Sequence, residues 1–332
     1  MIKDKLITDN YAIYNSDCMY VMSQMPSESI DLSIYSPPFG GLYNYSSSEN
    51  DLSNCETKEQ FLKQYEFHVA EIARVTKPGR ITCVHVADLI PERVTEFFDF
   101  PHEVKKIHIK HGFDWKNTVT IWKEPLKVRM RTMVKSLMHK LIVEDSTECF
   151  TAMPDYLLIF KRRGKIITPV THPVGLSEYM GATPLLPAME KKYGSFQLLK
   201  EKYKNWDDPK TNKLSHIIWQ RYASSVWDDI RIDNVLPFRE SKDEDDEKHV
   251  HPLQLDVIGR CVELYSNPKE VVFTPYMGVG SEAFEAVVNG RYGIGVELKE
   301  SYFKQAVKNL AESKNKNVVQ QELEFETEAS EM

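Results

Sequence analysis

Two periodicities take turns along the chain. Ser29 to Tyr35 is a short apolar-rich run of the kind that makes a buried strand. Thr57 to Thr76 instead spaces its apolar residues helically, at Phe61, Leu62, Tyr65, Val69, Ile72 and Ala73, and stops at Lys77-Pro78-Gly79, where proline and glycine end a helix. Arg80 to Val86, Thr118 to Trp122 and Tyr156 to Phe160 read as further strands. The alternation returns near the far end: His251 to Ser266 has helical spacing, Glu270 to Thr274 is a strand, Ser281 to Asn289 a helix and Tyr292 to Glu297 a strand. Strands and helices in alternation predict an α/β fold with a mostly parallel sheet between helices.

The pattern is interrupted from 165 to 225, where Pro169, Pro173, Gly175, Gly181, Pro184 and Pro187 recur among Tyr, Trp, Lys and His. This stretch reads as a loop-rich insertion rather than more sheet. An acidic run, Asp243 to Glu247, marks an exposed loop, and the segment 314–332, rich in Glu, Gln and Asn, is expected to be disordered. The chain therefore divides into 1–164, an insertion 165–225, a second α/β block 226–313 and a tail 314–332, with no internal repeat.

Composition narrows the class. An apolar fraction of 42% and a charged fraction of 27% are those of a soluble globular protein. No apolar run approaches the roughly 20 residues of a membrane helix, and Met1 to Lys5 lacks a secretory signal, so the expected location is cytoplasmic. The five cysteines are scattered singly without a CxxC pair, which suggests neither a disulfide framework nor a zinc site; no metal is expected. Net charge is -7, yet Val104 to Lys140 carries ten Lys/Arg against two acidic residues. Such polarity suits a basic face laid on a phosphate backbone; a solvated helix face explains it equally well.

Two loops carry candidate chemistry. Gly278-Val279-Gly280-Ser281-Glu282-Ala283 has the G-x-G-x-x-G/A form between an expected strand and an expected helix, the context in which glycines bring backbone close to a ligand. Glu297 ends the next strand, near the offset at which an acid grips ribose hydroxyls; a surface carboxylate beside Lys299 is the plain alternative. A dinucleotide-binding half would normally lead the chain, and too little sequence follows residue 270 for a second half. The sheet must be assembled from both ends of the chain. Ser36-Pro37-Pro38-Phe39 follows the strand 29–35, and ligands of open α/β sheets bind beyond the carboxyl ends of strands. Two prolines fix φ and remove two donors, leaving the Ser36 hydroxyl and the carbonyls as acceptors and Phe39 as an aromatic face. That suits a flat ring bearing an NH2 group; a stiff proline turn is the alternative.

Together these elements resemble the DNA amino-methyltransferases of the β class, with catalytic motif first and cofactor motif last. Ser36 to Phe39, Phe273 to Gly280 and Glu297 look like the family's catalytic, cofactor and ribose motifs. Asn15-Ser16-Asp17-Cys18 is similar to its Gly-Asp element, Lys248 to Gln254 to its Lys-x-x-His-Pro-x-Gln element, and Gly112-Phe113 with Trp122-Lys123 to its Gly-Phe…Trp-x-Lys strand. The resemblance covers roughly 10–165 and 226–310. It implies a Rossmann-like methyltransferase sheet in circularly permuted motif order, with 1–164 as catalytic half, 165–225 as target-recognition insertion and 226–313 as cofactor half. It implies S-adenosylmethionine held by Asp17, His251, Pro252, Thr274, Tyr276, Gly278, Gly280 and Glu297. Three departures stand out: Thr274-Pro275-Tyr276 replaces Asp-Pro-Phe, Gly278-Val279-Gly280 replaces Gly-Ser-Gly, and Asp256 replaces a proline. They put cofactor affinity, more than fold, in question.

The implied activity is methylation of the exocyclic amine of a base flipped from double-stranded DNA. Ser36 Oγ and the Pro37 carbonyl accept the amine hydrogens and Phe39 stacks on the base, with Tyr43 and Tyr45 in a loop that closes over it. No strong general base is apparent in the motif, so the proton leaves after transfer. Ser-Pro-Pro-Phe leans toward N4 of cytosine in this family. N6 of adenine and a catalytically silent DNA-binding paralogue are the alternatives, and RNA or protein amide methylation is a third. A cytosine-C5 mechanism is disfavoured because no cysteine follows a proline. Lys123, Lys127, Arg129, Arg131 and Lys135 within the basic segment 125–150 and its approach are expected on DNA phosphates, as are Lys161, Arg162 and Arg163, with sequence readout in the insertion. A homodimer and a cognate restriction endonuclease are left open as partners.

Overall fold

The computed structural model describes residues 1–38, 55, 57–88, 98–132, 137–166, 168–206, 208–241 and 252–313. The strands are β1 (Asp4–Ile7), β2 (Tyr11–Asn15), β3 (Ile30–Tyr35), β4 (Thr76–Val86), β5 (Phe113–Ile121), β6 (Asp155–Arg162), β7 (Val226–Trp227), β8 (Val271–Thr274) and β9 (Tyr292–Glu297). Among the described residues they form one nine-stranded sheet in the order β1-β2-β9-β8-β3-β4-β6-β5-β7. The two ends of the chain do interleave: β8 and β9, from the last third, lie between β2 and β3, from the first.

The sheet is mostly parallel, as expected, with antiparallel pairings confined to β1 and to β6 on either side of the centre. β2, β9, β8, β3 and β4 run parallel. β6 is antiparallel to β4 and to β5, and β1 is antiparallel to β2. Strand periodicity reports a buried face and carries no direction, which depends on where each connection returns. Here β5 leaves one place open beside β4, and β6 comes back through it in reverse.

Hydrophobic cores lie on both faces. On one, α1 (Cys18–Gln24), α2 (Lys58–Val75) and α3 (Phe100–Lys110) cover Ile30, Tyr35, Val84, Val86, Leu158 and Phe160. On the other, α9 (Leu255–Tyr265), α10 (Ser281–Val288) and a last helix, 300–313, cover Leu32, Ile34, Cys83, Leu157 and Ile159. Each fully buried side chain of this size contributes roughly 1.5–3 kcal/mol relative to exposure. α2 shows the local logic: Thr57 caps its first turn by accepting from the Gln60 amide at 3.2 Å, and Phe61, Tyr65, Val69 and Ile72 recur on one buried stripe.

Beyond the basic turns of α4 (Pro125–Thr132) and α5 (Lys140–Glu144), the insertion departs from expectation. It is irregular from 168 to 186, as its prolines and glycines dictate. It then forms α6 (Pro187–Tyr193), α7 (Phe196–Tyr203) and α8 (Lys213–Tyr222) around a small core of Leu176, Leu185, Leu199, Leu214, Ile217, Ile218 and Tyr222. It is anchored to α9 by Arg260, whose guanidinium is fully buried, pairs with Asp229 at 2.8 Å and lies over the rings of Tyr179, Tyr222 and Trp227. The acidic run and the tail lie outside the described residues.

Candidate active site

Because the five central strands are parallel, their carboxyl ends meet along one edge. There the structure gathers Asn15 at the end of β2 with Ser16 and Asp17 after it, Glu297 at the end of β9, Thr274 at the end of β8 with the loop to Gly280, Ser36-Pro37-Pro38 after β3 and His85 near the end of β4. Segments far apart in the chain thus share one site because each ends a strand.

The cofactor side is built mainly from backbone. The Glu297 carboxylate accepts from the Gly278 amide at 2.7 Å and from the Lys299 amide at 2.8 Å, so it pins the glycine loop. Gly278 and Gly280 adopt φ of 54° and 97°, a region unfavourable for residues with a Cβ. A Cβ at Gly280 would also stand 3.2 Å from that of Ala306, whereas one at Gly278 would meet nothing within 4 Å. The Asn15 amide donates to the Glu297 carbonyl at 2.9 Å, and Asp17 caps α1 by accepting from the Tyr20 amide at 2.9 Å. Three buried hydroxyl oxygens at this edge, Ser16 Oγ, Thr274 Oγ1 and Ser281 Oγ, have no hydrogen-bond partner among the described residues. Unpaired buried hydroxyls are costly, and an open cradle at Gly278 beside them fits a polar ligand such as S-adenosylmethionine. Pro252 lies close by in sequence before α9; His251 lies outside the described residues.

Tyr276, among the residues expected to hold the cofactor, is itself held by neighbouring side chains. Its ring packs edge-on to Tyr35 at 5.7 Å and stacks on His68 at 5.8 Å, and its hydroxyl is hydrogen-bonded to His68 Nδ1 at 2.7 Å. Burial pushes the His68 imidazole down to about 4, against the pull of Asp17, so the pair is neutral at pH 7. Glu282, in the first turn of α10, is buried, and that burial together with Glu297 pushes its carboxyl up to about 8. The sequence reading gave neither group a role: His68 sits inside the apolar stripe of α2, and Glu282 fills an unspecified position of the glycine motif.

The catalytic side is built from side chains. Pro37 is buried and Ser36 half-buried. The end of β3 beneath them is held by Tyr35, whose hydroxyl is 2.9 Å from His108 Nε2 while His108 Nδ1 lies 2.8 Å from the Val104 carbonyl. A ring nitrogen facing a carbonyl must carry the proton, so Nε2 accepts from Tyr35. Burial pushes His108 down to about 3, consistent with a neutral ring. Ser36 Oγ donates to the His85 carbonyl at 3.2 Å and stands 3.3 Å from His85 Nδ1. His85 Nε2 is 2.9 Å from Asp155 Oδ2, and Lys123 Nζ donates to Asp155 Oδ1 at 2.6 Å. Burial acts to raise the Asp155 carboxyl, but Lys123 and His85 outweigh it and hold it well below the usual carboxylate range. Sequence reasoning found no base here because His85 and Asp155 meet only through the antiparallel pairing of β4 with β6. Phe39, Tyr43 and Tyr45 lie outside the described residues.

The basic residues divide three ways. Lys123, expected on phosphate, is committed to buried Asp155. Lys127 is exposed and pairs with Asp233 at 3.0 Å. It and Arg129 lie on α4, which springs from the end of β5; Ile121 there pairs with Asp155, and neighbouring Tyr156 with Val86, so α4 starts on the Ser36 edge. Lys161, Arg162 and Arg163 end β6 at the opposite edge, where Lys161 pairs with Ile81. Arg162 donates to the Ala73 and Gly112 carbonyls, both at 2.9 Å, and Arg163 pairs with Asp114. Arg162 and Arg163, expected on DNA phosphates, thus spend their guanidinium groups within the protein at the edge opposite Ser36. The Arg131 side chain and Lys135 lie outside the described residues. Asp256, where the resemblance has a proline, is buried and binds Arg231 and Asn234, so the departure serves to fasten the start of α9.

The comparisons agree with this geometry. A DNA methylase family model of the N6/N4 type matches residues 30–308. The type II methyltransferase M.BglII of Bacillus subtilis is 24% identical over 309 residues, covering 92% of this chain and 70% of that protein. M.BamHI of Bacillus amyloliquefaciens is 23% identical over 312 residues, covering 93% of this chain and 59% of that protein, so the chain is shorter than both relatives. Among solved structures, the putative DNA modification methylase TTHA0409 of Thermus thermophilus, complexed with S-adenosyl-L-methionine, superposes with a TM-score of 0.57 at 20% identity over 92% of this chain and 95% of that one. The cytosine-N4-specific PvuII DNA methyltransferase superposes with a TM-score of 0.56 at 13% identity over 93% and 90%. With the Rossmann-like sheet, the glycine cradle and Ser36-Pro37-Pro38 on one edge, the chain belongs to the N6/N4 DNA methylases, a family of S-adenosylmethionine-dependent DNA methyltransferases.

Proposed function

We propose that the protein methylates the exocyclic amine of a base flipped out of double-stranded DNA, and that the base is cytosine, modified at N4. The observation that carries this reading is Ser36 Oγ: a half-buried neutral acceptor at the carboxyl end of β3, followed by buried Pro37 and level with the glycine cradle. S-adenosylmethionine supplies a methyl group already activated on sulfonium, so the protein's work is orientation, electrostatics and exclusion of water. Glu297 holds the ribose hydroxyls, Asp17 the adenine, and the Gly278–Gly280 loop with Thr274 the remainder. Ser36 Oγ and the Pro37 carbonyl accept the two amine hydrogens. That draws nitrogen toward a pyramidal geometry and frees its lone pair for attack. Phe39 stacks on the flipped base, whose extrusion costs a few kcal/mol. Lys127 and Arg129 on α4 meet phosphates beside the site, and the helices of the insertion read sequence.

Nucleoside mass spectrometry of DNA incubated with the enzyme tests the target base. The expected product is 4-methylcytosine. Detection of 6-methyladenine alone would overturn the cytosine assignment and leave the amine chemistry intact.

A further inference from the structure

Ser36, His85, Asp155 and Lys123 form a continuous row on one face of the sheet. Tyr35 pairs with Val84, so Ser36 stands level with His85; His85 pairs with Leu157, and Asp155 is two residues from it on the same face; Ile121 pairs with Asp155, and Lys123 is two residues further on. Neighbouring strands lie about 4.8 Å apart, close enough for polar side chains to touch across each gap. The contacts run 3.3 Å from Ser36 Oγ to His85 Nδ1, 2.9 Å from His85 Nε2 to Asp155, and 2.6 Å from Asp155 to Lys123. His85 is 9% exposed and Asp155 5%.

We propose that this row is a proton relay in which His85, held by Asp155 and Lys123, receives through Ser36 the proton that the methylated amine must lose. The inference rests on the amine reading of the site and not on which base is the target. Its logic is that of a serine–histidine–aspartate array, with serine as a conduit instead of a nucleophile. An ionised Asp155 facing Nε2 requires the proton of the neutral ring on that nitrogen, so Nδ1 is an acceptor toward Ser36. Lys123 keeps Asp155 ionised and stops it from taking the proton itself. The Ser36 hydroxyl donates to the His85 carbonyl at 3.2 Å, and a turn about its Cβ–Oγ bond redirects that hydrogen to Nδ1, 3.3 Å away, leaving its lone pairs for the amine hydrogens.

The step balances. The amine lone pair forms the new nitrogen–carbon bond, and the carbon–sulfur bond breaks with its electron pair remaining on sulfur. The cationic nitrogen then gives one hydrogen to Ser36 Oγ as the Ser36 proton passes to Nδ1. His85 ends as an imidazolium beside the Asp155 carboxylate and returns the proton through Ser36 to water after the product leaves. Ser36 touches the substrate; His85 is a positioning residue that acts through it. Among the described residues, the charged groups facing His85 are Asp155 from β6 and, behind it, Lys123 beyond β5.

The test combines tautomer and pH profile. In cofactor-free wild-type protein labelled with ¹⁵N-histidine, the His85 resonances, assigned by their loss in His85→Gln, are expected to show Nδ1 bare and Nε2 protonated; the reverse tautomer overturns the relay. In single-turnover methylation, His85→Gln is expected to be about 10²-fold slower, the scale of lost acid–base assistance, and to lose the acidic limb of the wild-type pH–rate profile. Asp155→Asn is expected to show the reverse tautomer and a comparable loss. S-adenosylmethionine affinity within about twofold of wild type confirms a folded site in each variant. Variants that keep the acidic limb and lie within about twofold of wild-type rate overturn the relay alone. Wild-type protein that methylates no base in any DNA overturns the amine reading and the relay with it.

Discussion

The two halves of the site solve opposite problems with opposite materials. The cofactor half, on β2, β9 and β8, is mostly backbone: a glycine loop pinned by one carboxylate, neutral buried His68 and Glu282, and hydroxyls without partners among the described residues. The catalytic half, on β3, β4, β6 and the end of β5, is a row of polar side chains ending in a buried carboxylate–ammonium pair. A bound cofactor needs shape and amides that it can complete itself. A departing proton needs titratable groups already in line.

The largest expected effect separates the halves. Ser36→Ala removes the side-chain acceptor proposed for the amine and with it the proposed link from His85 to the substrate. Methyl transfer is expected to fall by roughly 10²–10³-fold, as for loss of one preorganised polar contact to a transition state, while calorimetric affinity for S-adenosylmethionine stays within about twofold. Lost cofactor affinity in this variant would show that the halves are not separable.

The comparison also explains what the sequence revealed. The cofactor half was legible because its parts are contiguous: Gly278 to Ala283 carries strand end, turn and helix start in six residues, and Glu297 closes the next strand. Ser36 was legible for the same reason. His85 and Asp155 were not, because strand patterns state which residues are buried and leave pairing partners open; only the reversed entry of β6 beside β4 brings them together. Charge counting failed similarly. Lys123 lies in the most basic stretch of the chain, yet its ammonium is 2.6 Å from a carboxylate 32 residues away. Lys161 to Arg163 formed a basic cluster in sequence, while β6 carries them to the edge opposite Ser36.

A second effect, in stability, probes the neutrality of the cofactor half. Glu282 is held up to about 8 in the folded protein by burial and by Glu297, against roughly 4.3 in an unfolded chain. Between those values the folded state binds the extra proton. The Glu282 contribution therefore falls as pH rises from about 4 to about 8 and is flat beyond. Glu282→Gln keeps the neutral shape and removes the titration. The variant is expected to match wild type in thermal denaturation at pH 4.5 and to be more stable at pH 8, by on the order of a few kcal/mol. Equal stability at both pH values would mean that Glu282 is ionised in the folded protein.

The smallest expected effect asks what the orphaned hydroxyls are for. Thr274 is fully buried and its Oγ1 has no partner among the described residues. Thr274→Val preserves the shape and removes a group that the ligand-free protein does not satisfy. Replacing an unsatisfied buried polar atom with a methyl of similar size is neutral or stabilising, so the thermal midpoint is expected to hold or rise slightly. If the hydroxyl is kept for the cofactor, S-adenosylmethionine binding weakens by about fivefold, the worth of one hydrogen bond of about 1 kcal/mol, while single-turnover methylation at saturating cofactor stays near wild type. A raised midpoint with unchanged affinity would make Thr274 a packing residue, and the replacement of the family's usual acid at this position would then carry no information about cofactor binding.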